Sequence, residues 1–193
     1  MKKILLLLVF MFTIMTSFAQ NAEHLTFKGV PIDGTLSDFV AKMKSVGFLC
    51  LGEEEGVAVL KGDFAGYREC KIFVVTLRPA KVVNTIMVHF PYCHSWEELE
   101  NIYESLKAML TEKYVEPAEV IEKFTGNTIP SDSRDKLREL LMDRCVWVTE
   151  YKTKKGVIQL LMDKPDGKGY FVRLQYYDKI NTNKVRATAI DDL

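Results

Sequence analysis

The sequence predicts an α+β fold: an antiparallel β-sheet of two helix-plus-meander units, with the helices packed on one face. Three observations lead there. Two segments, 35–48 and 95–114, carry complete helix signals. Each is followed by stretches rich in β-branched and aromatic residues, which favour strands. The breaks between those stretches are short, and a parallel crossover needs a dozen or more residues.

A leader precedes this pattern. Lys2 and Lys3 are followed by an apolar run from Ile4 to Met15, and Ser17 and Ala19 stand at the −3 and −1 positions of a small-x-small cleavage site. Residues 1–19 therefore read as a secretory signal peptide. The apolar run has 12 residues, short of the ~20 that a membrane-crossing helix needs. No later apolar stretch is long enough to span a membrane after signal cleavage. Residues 20–193 then form a single α+β domain, with pseudo-repeat halves at about 30–92 and 93–190.

The first helix is "TLSDFVAKMKSVGF". Thr35 is an N-cap, with Asp38 three residues on. Leu36, Phe39, Val40 and Met43 make one apolar face, and Lys42 and Lys44 sit at the negative end of the dipole. Gly47 supplies the left-handed residue that closes a helix, and Phe48 folds back on the last turn. Strands follow at "VAVLKG", "ECKIFVVTL" and "VVNTIMVHF". The turns between them are read at "GEEEG", "GDFAG" and "RPAK".

The second helix, "SWEELENIYESLKAMLTEKY", opens on a Ser95–Glu98 capping box. It buries Leu99, Ile102, Tyr103, Leu106, Met109 and Leu110. "PAEVIEKF" is expected to form a short helical turn. "IPSDSRDKLRELLM" is expected to form a helix capped near Ser131 to Ser133, with Leu137, Leu140 and Leu141 on one side. The chain returns to strands at "CVWVTEY", "GVIQLLMDK" and "GYFVRLQYYD", joined by hairpin turns at "KTKKG" and "KPDGKG". "KVRATAI" is expected to add a short edge strand.

Composition excludes some roles. Lys+Arg and Asp+Glu both number 26, and removal of Lys2 and Lys3 leaves 24 basic against 26 acidic side chains. Such a chain has no electrostatic reason to seek nucleic acid. Four cysteines, Cys50, Cys70, Cys93 and Cys145, permit two disulfides in an exported protein, in any of three pairings. Cys70 and Cys145 lie in strand-like stretches, where buried free thiols are the alternative.

No motif specifies a reaction. "HFPYCHSW" gathers His89, Cys93 and His94, but a structural zinc site takes four ligands in paired spacings, and His24 lies far away near the N-terminus. No metal or cofactor is assigned. Cys93 as a nucleophile needs a histidine base within reach, and adjacent His94 diverges from it. Glu53, Glu54 and Glu55 lack the alternating spacing of a calcium loop. There is no G-x-S-x-G elbow, P-loop or dinucleotide fingerprint. No catalytic residue is assigned.

The last strand offers a surface instead. Alternation puts Tyr170, Val172, Leu174 and Tyr176 toward the core and Phe171, Arg173, Gln175 and Tyr177 on the other face. Exposed Phe171, Arg173 and Tyr177 have the composition of a binding surface, and they are the candidate contact residues.

"FKGVPIDGTLSDFVAKMKSVGF", "GDFAGYRECKIFVV" and "HFPYCHSWEELENIYESLKAMLTEKY" resemble a group of small exported Bacteroidetes proteins, whose signals end similarly to "FAQ". The resemblance implies location and fold class but no activity. The helix-plus-meander repeat is also similar in architecture to β-lactamase-inhibitor-protein-like folds, which implies a binding role. The expected function is an exported, non-enzymatic binding module of the periplasm or cell exterior. Its partner would be another envelope or extracellular protein, or a small ligand. The alternatives are a hydrolase with an unrecognised acid or Cys/His site, and a structural envelope protein.

Overall fold

The computed structural model describes residues 23–78, 80–126, 129–164 and 169–191. Residues 1–19, expected to be a signal peptide, and the centre of the "KPDGKG" turn lie outside the described residues. A short antiparallel pair, β1 (Thr26–Phe27) and β2 (Val30–Pro31), leads into α1 (Leu36–Ser45). The first meander is β3 (Leu49–Glu54), β4 (Val57–Phe64), β5 (Tyr67–Leu77) and β6 (Val82–His89). The second unit runs α2 (Trp96–Tyr114), β7 (Glu119–Phe124), α3 (Ser133–Leu141), β8 (Cys145–Lys152), β9 (Gly156–Asp163) and β10 (Phe171–Asp178). Helix α4 (Lys179–Asp191) continues directly from β10.

The two meanders make one eight-stranded sheet in the order β3-β4-β5-β6-β10-β9-β8-β7, with every pair antiparallel. Each unit contributes four strands, and the units meet through their last strands, β6 and β10. This is the α+β architecture that the pattern of elements predicts.

Helix α1 forms as its local signals require. The Thr35 hydroxyl accepts the Asp38 amide at 3.2 Å. At the other end Phe48 N–H reaches the Met43 carbonyl and Gly47 N–H the Lys44 carbonyl, both at 3.1 Å. That is a Schellman ending, with Gly47 at φ 98°. In α2 the Ser95 hydroxyl accepts the Glu98 amide, while the Glu98 carboxylate accepts the His94 amide, one residue before the cap. The Asp132 carboxylate caps α3.

The core lies between the helices and one face of the sheet. Phe39, Val40 and Met43 of α1 and Trp96, Leu99, Tyr103 and Leu106 of α2 are buried there. They share one cluster with alternate strand residues, among them Leu60, Ile72, Val74, Ile86, Val88, Leu160 and Leu174. Trp96 packs edge-on against Trp147, 5.0 Å between ring centres, and lies 5.4 Å from Phe124. Such aromatic contacts add about 0.5–1.5 kcal/mol beyond burial. The buried Tyr103 hydroxyl is satisfied by Thr149 at 2.6 Å.

Several expectations are corrected. "PAEVIEKF" is the edge strand β7, since six ladder positions with β8 outweigh the helix propensity of Ala118, Glu119 and Glu122. "KVRATAI" belongs to α4, whose start is set by the Asp178 carboxylate accepting the Asn181 amide at 2.9 Å. Strand β3 runs to Glu54, so the turn read at "GEEEG" is confined to Glu55 and Gly56. Leu141 and Met109 are exposed because they sit at the flanks of their apolar stripes. All four cysteines are free thiols.

His24 is held firmly rather than lying loose near the N-terminus. It bridges Asp33 at 3.3 Å and the fully buried Asp178 at 3.1 Å. Asp178 also accepts the Leu25 amide at 2.9 Å. The Asn181 side-chain amide reaches the carbonyls of Ile32 and Val83. This polar knot joins the entering segment, β6 and the β10–α4 junction.

Candidate functional site: the helix-free sheet face

Side chains alternate across a strand, so the residues between the core positions line the opposite face. Helices α1, α2 and α3 leave that face uncovered, and its residues are mostly half-buried. The ladder fixes its rows. One row places Lys61, Lys71, His89 and Arg173 directly opposite one another on β4, β5, β6 and β10. The same row continues through Leu161, Val148 and Ile121 on β9, β8 and β7. The next row places Val59, Phe73 and Met87 beside Gln175, Gln159 and Glu150. The first unit and the seam thus carry a basic row beside an apolar one, and the second unit carries apolar, amide and acidic side chains.

The candidate contact residues of β10 are all on this face. Arg173 pairs with Asp163 at 2.8 Å, with its side chain 29% exposed. Tyr177 is half-buried and donates its hydroxyl to the side-chain amide oxygen, Oε1, of Gln175. Burial raises the Tyr177 pKa. Phe171 corrects the expectation of an exposed ring: only 3% of it is accessible. His89 lies over it at 4.3 Å and Tyr92 meets it edge-on at 6.0 Å. Phe171 is a support under the surface, and Tyr92, 39% exposed, is the ring presented to solvent.

His89 is held between Phe73, at 4.6 Å, and Phe171. Burial, reinforced by the nearby positive charges of Arg173 and Lys71, pushes its pKa down to about 4. The imidazole is therefore neutral at pH 7. Linkage gives the sign: between about 4 and the unfolded value of about 6.5 the unfolded chain binds more protons, so stability rises with pH across that window. Denaturation midpoints measured from pH 4 to 7 should fall toward acid, and His89→Gln should flatten that slope. An unchanged slope in the variant would show that His89 does not contribute.

"HFPYCHSW" is dispersed by the fold. His89 faces the open side, Cys93 is buried in the helix-side core, and His94 is exposed at the start of α2. Burial, with Glu98 adding to it, raises the Cys93 thiol to about 11. Burial likewise raises Cys70 to about 11 and Cys145 to about 12. These three thiols are protonated at neutral pH, which makes them poor nucleophiles. Among the described residues no three His, Cys, Asp or Glu side chains are grouped as metal ligands would be. No helix of the described residues is long and apolar enough to cross a membrane.

On the second half of the face, the Glu150 carboxylate accepts Gln159 at 2.6 Å and pairs with Lys152 at 3.2 Å. Those contacts hold its pKa below the usual carboxylate value. The joining of Arg173 to Lys61 and Lys71 in one row was invisible in the sequence, because it depends on β6 pairing with β10, two strands from different units. Alternation alone finds which face each residue takes, and does so for Arg173 and Tyr177. No family model, curated protein or solved structure matches the chain.

Proposed function

We propose that the protein is an exported, non-enzymatic binding module whose helix-free sheet face recognises another molecule in the periplasm or outside the cell. One observation carries this reading: a single eight-stranded sheet has one face under helices and the other open, with charged, amide and aromatic side chains held in place across it. A preorganised surface of this kind loses little side-chain entropy on binding. Tyr92, Arg173 and Tyr177 supply the residue types that dominate binding energy in interfaces. Export follows from the charged, apolar and small-residue pattern of residues 1–19.

The test is recovery of envelope or extracellular components by immobilised protein. Arg173→Glu reverses the charge at the centre of the face and should reduce recovery of a specific component about tenfold, as hot-spot truncations do. Lys113→Glu, on α2 away from the face, should leave recovery unchanged. Thermal melting of both variants checks that they fold. Equal recovery by folded Arg173→Glu would remove the surface from the proposal.

A further inference from the structure

The basic row is arranged against electrostatic preference. Like charges directly opposite on neighbouring strands repel, yet Lys61 faces Lys71, and the neutral His89 lies between Lys71 and Arg173. Lys61 is paired with Glu69 at 2.7 Å and Arg173 with Asp163. Among the described residues Lys71 and Arg68 have no carboxylate at ion-pair distance. The Lys71 ammonium instead lies 5.9 Å from the centre of the Tyr92 ring. The Arg173 Nε is buried with no acceptor.

Lys61, Arg68, Glu69, Lys71, His89 and Tyr92 line a groove of about 580 Å³, with Phe90 and Pro91 at its wall. Its volume lies within the range of small-ligand sites. Three cations and one acid converge on it. The acid, Glu69, already engages Lys61, so the free donors are those of Lys71 and Arg68. Tyr92 and Pro91 add an exposed apolar wall beside the charges. An arrangement of unpaired cations beside a ring is complementary to an anion joined to an apolar body.

We propose that this groove binds a phosphate or carboxylate group carried on an apolar or aromatic body, with the anion against Lys71 and Arg68 and the body against Tyr92 and Pro91. The inference rests on the reading of the helix-free face as a recognition surface and names the chemistry that one part of it takes. Occupation would draw Lys61 away from Glu69 and neutralise the repulsion along the row.

The experiment titrates the purified protein with phenyl phosphate, benzoate and inorganic phosphate, following amide and side-chain NMR signals. Phenyl phosphate or benzoate should shift Lys71, His89 and Tyr92 and bind at least tenfold tighter than inorganic phosphate. Whichever of the two is tighter identifies the anion. Affinity should fall with added salt. Lys71→Glu should weaken binding tenfold or more, and Glu69→Gln, which releases Lys61, should tighten it. Equal affinity in Lys71→Glu, or shifts confined to another part of the molecule, would overturn the proposal. Loss of phenyl phosphate in Lys71→Glu, with partner recovery unaffected by Arg173→Glu, keeps the groove and removes the wider recognition reading. The reverse pattern removes the groove alone.

Discussion

Asp178→Ala should destabilise the protein by about 3–5 kcal/mol, as breaking a buried charged hydrogen-bond network does. The carboxylate is fully buried and accepts the Leu25 amide, the His24 ring and the Asn181 amide. Alanine leaves both amides without that acceptor and removes the N-cap of α4. It also frees His24, which then holds only Asp33. The segment before β1, strand β10 and α4 are therefore loosened together. Urea denaturation gives the magnitude, and hydrogen exchange at Leu25 and Asn181 should accelerate more than at Ile86 in the sheet centre. A variant within about 1 kcal/mol of the parent would show that water replaces the carboxylate without loss.

Gly156→Ala should cost about 3 kcal/mol, at the upper end of overpacking effects. Gly156 is buried in β9 opposite Asp178. A methyl there would intrude on the Tyr177 carbonyl oxygen and come within 2.5 Å of Leu25 Cδ1. The first obstacle is backbone and cannot rotate away. The second is a side chain only 3% exposed, with little room to retreat. For a domain of this size the loss corresponds to about 6–12 °C in melting temperature. Differential scanning calorimetry measures it, and an unchanged transition would mean that β9 and β10 can separate at this point without penalty.

What the sequence disclosed follows from the range of the forces involved. Helix α1 was legible because every signal for it is local: Thr35 at the cap, the apolar face, Gly47 and Phe48 at the end. The inward residues Val172, Leu174 and Tyr176 of β10 were legible for the same reason, since alternation is a property of the strand itself. Strand β7 was not, because Pro117 and the helix-forming residues after it favour helix locally, and only pairing with β8 decides otherwise. The helical state of "KVRATAI" depends on its continuation from the first turn of α4, which Asp178 caps and Asn181 ties to the carbonyls of β6 and the segment after β2.

The site divides along the same line. Arg173 and Tyr177 were placed on the open face by their spacing alone. Phe171 has the same spacing but is covered by His89 of β6 and by Tyr92, which precedes α2. The covering residues belong to a part of the chain that alternation within β10 cannot report. His24 finds its partner 154 positions away, a distance at which no local pattern signals contact.

The joining of the two units through β6 and β10 also bears on the entropy of the chain. Every other neighbouring pair of strands is successive in sequence, while Arg173 with His89 and Tyr177 with Thr85 close a span of roughly 90 positions. Loop-closure entropy grows only logarithmically, so this single long closure costs about 2–3 kcal/mol more than a four-residue turn. Ile86, Val88, Leu174 and Tyr176, all buried along the junction, offset that at about 1.5–3 kcal/mol for each side chain removed from water. Joining two four-stranded units in one chain is thus thermodynamically inexpensive, and a broad, continuous surface is obtained within a single polypeptide.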